Sequence, residues 1–402
     1  MTETLTKEIQ VNWQENGKPQ SATWQSAANN PPPKKVMAID DTLKADAAYK
    51  MACEGTAMLW RGDFQNAKQL SIAISRRIDN RTTKPKAVNK AWQAAKTPKE
   101  VSPKELFHLY RKNQIERART LGMLLVELGP NYSLNYPRAP DVAAACMQAF
   151  GKSGKENTVL SLRELLGVVG AYEWHKKGVE IPQLEASITP YYGVYSPVRG
   201  EYIDLVNNLL LANVPLNNVS VAFDIGTGTG VLAAVLAKRG VAKIIATDSN
   251  LQALVCAQEN INQLGFSAQV KITQAHLYPS NNAGLADLIV CNPPWLPAKA
   301  NSPIEHAIYD PESQMLKGFL AGLKTHLAIK GEGWLILSDI AEHLGLRTRE
   351  ELNTWITAAG LEVIEKLDVK PQHAKSQDKS DALYDARSKE VTSLYRLKVA
   401  KR

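Results

Sequence analysis

The sequence has no run of about 18 uncharged apolar residues, the length a helix needs to cross a bilayer, so no membrane partner is expected. Its opening stretch, MTETLTKEIQVNWQENGKPQ, is polar and mixed in charge. It lacks the apolar segment of a secretory signal, which makes the cytoplasm the expected location. Cysteine is scarce: Cys53, Cys146, Cys256 and Cys291 stand far apart and form no Cys-x-x-Cys pair. That pattern points to neither a disulfide framework nor a zinc site, and no metal is expected. No internal repeat of about 20 to 50 residues is visible, so a solenoid is not indicated. What remains is an ordinary globular composition spread over 402 residues, more than the usual single domain of about 100 to 200, so two domains and a tail are expected.

Acidic residues run short in one place. The net charge is +8, yet the stretch Arg61 to Arg119 alone holds fifteen Lys or Arg against five Asp or Glu. Together with Trp60, Phe64, Trp92, Phe107 and Tyr110, this block has the composition that phosphate contact with occasional base stacking requires. A solvated helical surface has the same composition, so the block alone leaves both readings open.

Along the chain, residues 1–44 contain Asn29-Asn30-Pro31-Pro32-Pro33-Lys34-Lys35 and little apolar periodicity, which predicts a flexible arm. Residues 45–185 show helical spacing through Met51, Met58, Leu70 and Ile74, again through Leu106, Leu109, Ile115, Leu121 and Leu124, and over Val142 to Phe150 and Val159 to Trp174. A mainly helical, basic domain for substrate recognition is expected there. From 186 to 402 short β-branched runs (Val219 to Asp224, Ala242 to Asp248, Val270 to Thr273, Leu288 to Cys291, Trp334 to Leu337) alternate with helical stretches (Val231 to Arg239, Leu251 to Leu264, Met315 to Ile329). Alternation of this kind predicts an α/β fold with a doubly wound, Rossmann-like parallel sheet.

In such a sheet, ligands bind beyond the carboxyl ends of the strands. Asp224-Ile225-Gly226-Thr227-Gly228-Thr229-Gly230 stands at one of those ends. Glycine lets the backbone fold tightly against a ligand, and Asp224 offers an acceptor for a cationic ammonium or for water. A dinucleotide fingerprint would place its third glycine at position 231, where Val231 stands, so NAD and FAD are disfavoured. Asp248, at the end of the second strand, offers a carboxylate for both hydroxyls of a ribose.

This pattern resembles a class I S-adenosylmethionine-dependent methyltransferase, from roughly Tyr191 to the C-terminus. The resemblance implies S-adenosylmethionine as cofactor, a binding loop of Gly226, Thr227, Gly228 and Gly230, Asp224 near the cofactor's amino group, Asp248 on its ribose and Asn292 at the cofactor's edge as well as at the substrate. Such enzymes often carry an acid against the adenine after the third strand. This chain has His276 there, which can bond the adenine edge or simply be a surface histidine.

Asp287-Leu288-Ile289-Val290-Cys291-Asn292-Pro293-Pro294-Trp295 reads as a buried strand running into a rigid, donor-poor turn. An NH2 conjugated to a ring or carbonyl must regain its lone pair before it attacks a methyl sulfonium. The Asn292 side-chain carbonyl and the Pro293 backbone carbonyl can each accept one N–H, and Trp295 can stack on a flat substrate. The tetrapeptide Asn292-Pro293-Pro294-Trp295 resembles the Asn-Pro-Pro-aromatic motif of methyltransferases acting on adenine N6, guanine N2 or protein glutamine N5. Tyr191-Tyr192-Gly193-Val194-Tyr195-Ser196-Pro197-Val198-Arg199 resembles the segment that closes over the cofactor in ribosomal-RNA and release-factor glutamine methyltransferases. Tyr309-Asp310-Pro311-Glu312-Ser313 is similar to the release-factor enzymes' substrate loop, without their double glycine. Three readings stand: an RNA base methyltransferase acting on free RNA or the ribosome; a protein glutamine methyltransferase acting on a translation factor or ribosomal protein; and an inactive RNA-binding relative. The intact Asp224, Gly226, Gly228, Asp248 and Asn292 set argues against the third.

Overall fold

The computed structural model describes residues 9–83, 101–152, 154–197, 200–212, 219–371 and 378–401. Residues 1–8 of the expected arm, Lys84, Lys86 and Trp92 of the basic block, Val198-Arg199 of the closing segment and residues 372–377 before the last strand lie outside them. The chain divides into two units, residues 1–102 with 108–172, and residues 103–107 with 173–402.

In the first unit six strands close a barrel in the order β1-β2-β6-β5-β4-β3: β1 (Gln10–Glu15), β2 (Lys18–Trp24), β3 (Lys35–Ile39), β4 (Thr56–Trp60), β5 (Leu124–Leu128) and β6 (Thr158–Ser161). Asn16 and Gly17, both at positive φ (51° and 74°), make the tight turn between β1 and β2, the backbone a two-residue hairpin needs. Val11 and Trp13 alternate inward from β1 and meet Ala57, Leu59, Leu125 and Val159 in the barrel core. The expected helices are present, as Ala45–Cys53, Phe64–Thr83, Pro103–Leu121, Ala143–Phe150 and Leu162–Lys177.

The strands of this unit correct the sequence reading. Residues 10–39, expected as part of a flexible arm, form β1, β2 and β3, and β4, β5 and β6 lie inside stretches expected to be helical. The physical reason is that a four- or five-residue apolar run has the same hydrophobicity in a buried strand as in a buried helix, so periodicity cannot separate them.

In the second unit β7 (Val179–Ile181) and β8 (Ala186–Ile188) pair as a small hairpin. The main sheet runs β11-β10-β9-β12-β13-β15-β14, with β9 (Val221–Ile225), β10 (Lys243–Asp248), β11 (Val270–Gln274), β12 (Ala286–Cys291), β13 (Leu327–Ser338), β14 (Leu361–Val369) and β15 (Thr392–Val399). Strands β11 through β13 are parallel, and β15 and β14 add antiparallel. This is the doubly wound α/β sheet the sequence predicts.

Both faces of the sheet's centre are covered, which is why β9 and β12 are mostly apolar along their length. Along β12, Leu288 and Val290 enter one core with Leu232, Leu236 and Trp334, while Ile289 and Cys291 enter the other with Phe319, Leu320 and Leu323. Burying each such large side chain contributes roughly 1.5–3 kcal/mol. From β9 the chain winds outward to β10 and β11, then crosses to β12 and β13 on the other side. The reversal opens a crevice at the carboxyl ends of β9 and β12.

Candidate functional site

Even-numbered residues of β9 face the helix Val231–Lys238, so Asp224 is turned under the glycine turn and is 1% exposed. Its Oδ2 accepts from the Thr227 hydroxyl at 2.6 Å and from the Ala233 amide at 3.1 Å. The acid therefore braces both the turn and the first turn of the helix. Burial pushes its pKa up to about 6, against the pull of those two donors.

The turn itself is bound to the neighbouring strand. The Gly226 and Thr227 amides both donate to the Thr247 carbonyl at 2.9 Å, and the Gly228 amide donates to Asp248 Oδ2 at 3.0 Å. Gly230 has φ +81°, and a Cβ there would lie 3.3 Å from the backbone of Ala257, so only glycine lets the two helices approach this closely. At Gly228, φ is +55° and a Cβ would meet no atom within 4 Å, so the backbone faces open space beside Asp248. That space is a cradle a side chain would fill.

Asp248 ends β10 with its Oδ1 accepting from the Asn250 amide at 2.9 Å, and burial raises its pKa. The backbone amides of Gly228, Ser249 and Asn250 all favour the charged carboxylate, and an ionised carboxylate, which accepts on both oxygens, suits a pair of adjacent hydroxyls. These residues fit S-adenosylmethionine. His276 is exposed in the turn after β11.

The last pair between β12 and β9 joins Cys291 to Ile225. One residue further on, Asn292 and Gly226 leave adjacent strands at the same level, about 5 Å apart across the sheet. Asn292 is half-buried, and its Oδ1 accepts from Trp295 Nε1 at 2.9 Å. The indole ring packs against both cores of the sheet. Its edge thus fixes which way the Asn292 amide faces, a role the sequence reading did not assign to Trp295. Pro293 is buried, and Pro294 is half-buried. The loop beyond is pinned at its neck: Leu296 donates to the Ile308 carbonyl at 3.1 Å, and Asp310 donates back to the Leu296 carbonyl at 2.8 Å.

Two buried polar residues hold nearby segments in ways that the sequence does not announce. Asn260, 1% exposed, accepts from the Thr189 amide at 2.8 Å and donates to the Thr229 carbonyl at 3.0 Å. It ties the segment before Tyr191 to the glycine turn. Its signal was a lone amide on the apolar stripe Ala253, Cys256, Ala257 and Ile261. Asp310 accepts from the Met315 and Leu316 amides at 3.0 and 3.1 Å, so the segment Tyr309 to Ser313 starts the helix Gln314–His326. Tyr191 packs on Val194, Ala253 and Cys256, and its hydroxyl bonds Glu259.

The basic block differs from its expectation. Trp60, Phe64 and Phe107 are 1–2% exposed, so these rings are core and do not stack on bases. Arg61 lies between Glu15 and Glu127 at 2.7 and 2.6 Å, Arg77 pairs with Asp46 at 2.6 Å, and Arg117 pairs with Asp79. Short apolar runs bury their aromatics whatever the charge around them. Among the described residues, no helix is long and apolar enough to cross a membrane, and no group of three or more His, Cys, Asp or Glu is placed to hold a metal.

Residues 185–348 match the methyltransferase small domain family. The tRNA1(Val) (adenine(37)-N6)-methyltransferase of Shewanella sp. (strain W3-18-1) is 25% identical over 45% of this chain and 75% of its own length. The enzyme of that name from Serratia proteamaculans is 30% identical over 41% of this chain and 65% of its own length. The release factor glutamine methyltransferase of Moorella thermoacetica is 37% identical over 30% of this chain and 42% of its own length. With the glycine turn at the end of β9 and the Asn-Pro-Pro-Trp corner beside it, residues 185–348 carry the match to the methyltransferase small domain, and the protein is an S-adenosylmethionine-dependent methyltransferase.

Proposed function

We propose that the protein methylates an exocyclic amine of a base in RNA, adenine N6 or guanine N2. The observation that carries this reading is the register that sets Asn292, its carbonyl held by Trp295, level with Gly226 on the adjacent strand. Bound S-adenosylmethionine supplies an activated methyl group on a positively charged sulfur. The chain's part is orientation. Asn292 Oδ1 has given one acceptor site to the indole and keeps one, which accepts an N–H of the substrate amine. The Pro293 carbonyl accepts the second N–H. With both hydrogens held, the nitrogen lone pair is directed away from the ring plane and toward the cofactor side of the crevice. Gly226, Thr227, Gly228, Gly230, Asp224 and Asp248 serve the cofactor, with His276 at the adenine edge.

The net charge of +8 supports an RNA partner, free or within the ribosome, in the cytoplasm, and we assign substrate recognition to the first unit. Two of the relatives are named for adenine N6 of a transfer RNA, which supports the same substrate atom. The glutamine-methyltransferase relative favours a second reading, transfer to a glutamine amide of a translation factor or ribosomal protein. That amine is conjugated to a carbonyl and needs the same two acceptors. Incubating the protein with labelled S-adenosylmethionine and, separately, transfer RNA, ribosomes and total protein separates the two. Label in RNA supports the first reading, label confined to protein transfers the assignment to the second, and no label in any fraction contradicts both.

A further inference from the structure

Thr247 is fully buried at the next-to-last position of β10, one residue before Asp248. Successive side chains of a strand leave on opposite faces. Ile245 enters the core with Phe319 and Leu320 of the helix Gln314–His326, so Thr247 turns toward that helix and Asp248 toward the other face.

The polar groups of Thr247 serve two different turns. Its carbonyl accepts from the Gly226 and Thr227 amides at 2.9 Å each, which fixes the glycine turn. Its hydroxyl donates to the Leu277 carbonyl at 2.6 Å, in the turn after β11. The Asp248 carbonyl adds a bond from the Ala275 amide at 3.1 Å. The dipeptide Thr247-Asp248 therefore sets the spacing between the glycine turn, the Asp248 carboxylate and the turn that carries His276. A valine would fill the same space in a buried strand, so what threonine adds is the hydroxyl.

The far side of the His276 turn is clasped by packing. Leu277 and Tyr278 lie in a notch of the helix Gln314–His326 made by Gly318 and Gly322. A Cβ on Gly318 would stand 2.6 Å from Leu277 Cδ1, and one on Gly322 would run into the Tyr278 ring. The Tyr278 hydroxyl donates to the Phe319 carbonyl, and its ring stacks on His326 with centroids 4.2 Å apart. His276 stays exposed between neighbours that are held. The glycine turn leaves β9 and the His276 turn leaves β11, with β10 between them, so the two stand about 10 Å apart. A ligand that spans them meets both ends only if that spacing is kept.

We propose that Thr247 is a positioning residue for cofactor recognition. Its hydroxyl holds the His276 turn at a fixed distance from the glycine turn, so that the adenine edge is met while the methionine end rests on the glycines. The inference rests on the cofactor placement proposed above, with His276 at the adenine edge.

The test uses the full-length protein, the variants Thr247→Val and Thr247→Ser, and two ligands measured by calorimetry. One is S-adenosylhomocysteine; the other is S-inosylhomocysteine, in which an oxo group replaces the 6-amino group of the base. Valine keeps the branched shape and drops the hydroxyl, whereas serine keeps the hydroxyl and drops a buried methyl. Melting temperature records the stability of each variant. The wild type should prefer the adenine ligand by about fivefold or more, the worth of one hydrogen bond. In Thr247→Val, affinity for S-adenosylhomocysteine should fall about fivefold and that for S-inosylhomocysteine less than about twofold, so the preference shrinks. Thr247→Ser should keep affinity and preference within about twofold of the wild type even with a lower melting temperature. Equal losses for both ligands in Thr247→Val overturn the positioning role, as does unchanged affinity. Losses that follow the melting temperature instead of the hydroxyl, complete unfolding of Thr247→Val included, also overturn it and assign the residue to the fold. A wild type that binds both ligands alike refutes the reading of His276 instead. Affinity for S-adenosylhomocysteine then decides the inference: a loss in Thr247→Val that Thr247→Ser recovers supports it, and no loss, or a loss in both, overturns it.

Discussion

Replacing Trp295 by phenylalanine removes one atom group with a defined task. The ring still fills the space between the two cores, but the Nε1–H that reaches Asn292 Oδ1 at 2.9 Å is gone. A net hydrogen bond of this kind is worth about 1 kcal/mol, within a range of about 0.5–1.5. Without it, the two flipped orientations of the Asn292 amide differ by that much less. A bias of about 1 kcal/mol is a ratio of about five to one, so losing it takes the competent orientation from about five-sixths of the molecules to about half, and kcat should fall about twofold. The affinity for S-adenosylmethionine should hold, because the cofactor cradle lies on β9 and β10. The assay is single-turnover methyl transfer to the labelled RNA fraction, with calorimetry for the cofactor. Replacement by leucine, which also loses the flat ring, should cost more. A phenylalanine variant with wild-type kcat would show that the indole edge does not orient Asn292, and the account of the pocket would lose its anchor.

Gly228→Ala should fold with a cost of about 1–2 kcal/mol for a left-handed alanine, since no atom lies within 4 Å of the new Cβ, yet lose at least tenfold in cofactor affinity by calorimetry. Unchanged affinity would mean that the cradle is not where the cofactor sits. Asn260→Ala strands the Thr189 amide and the Thr229 carbonyl and should lower stability by about 2–4 kcal/mol in denaturant unfolding, with weaker cofactor binding; a loss under about 0.5 kcal/mol would remove it as the tie. Asp224 titrates near 6 when folded and near 3.8 when unfolded, so its neutral form is favoured by folding. That contribution is present below about pH 4 and is lost as pH rises through about 6. Asp224→Asn should therefore gain on the wild type by up to about 3 kcal/mol between those pH values, and a stability gap that does not change with pH would refute the burial argument.

The second unit was legible because its strands and helices alternate at lengths that periodicity separates. Val231 to Lys238 carries the stripe Val231, Leu232, Val235 and Leu236, and the strand before it ends in the glycine turn. The placement of the candidate site residues was legible for a related reason: Asp224, Asp248 and Asn292 all stand at carboxyl ends of parallel strands, where side chains leave the packed sheet. The barrel of the first unit was not, although β1 carried a signal in the alternation of Val11 and Trp13 followed by Asn16-Gly17. There, the surrounding polar residues and the run of prolines outweighed four informative positions. Trp60 and Phe64 misled in the opposite sense, because composition records that aromatics lie among lysines and arginines but not which way they point. Asn260 depends on contacts with residues distant in sequence, Thr189 and Thr229, which spacing does not encode.

The central claim is that Asn292 serves the transfer chiefly by holding the amine and contributes little to the affinity for the cofactor. Methyl transfer and cofactor binding measured side by side for Asn292→Ala test it most directly. The account predicts a fall in kcat of at least about a hundredfold, as for loss of an orienting group, with the dissociation constant for S-adenosylmethionine within about threefold of the wild type. Transfer at the wild-type rate, with the cofactor bound as before, would contradict it.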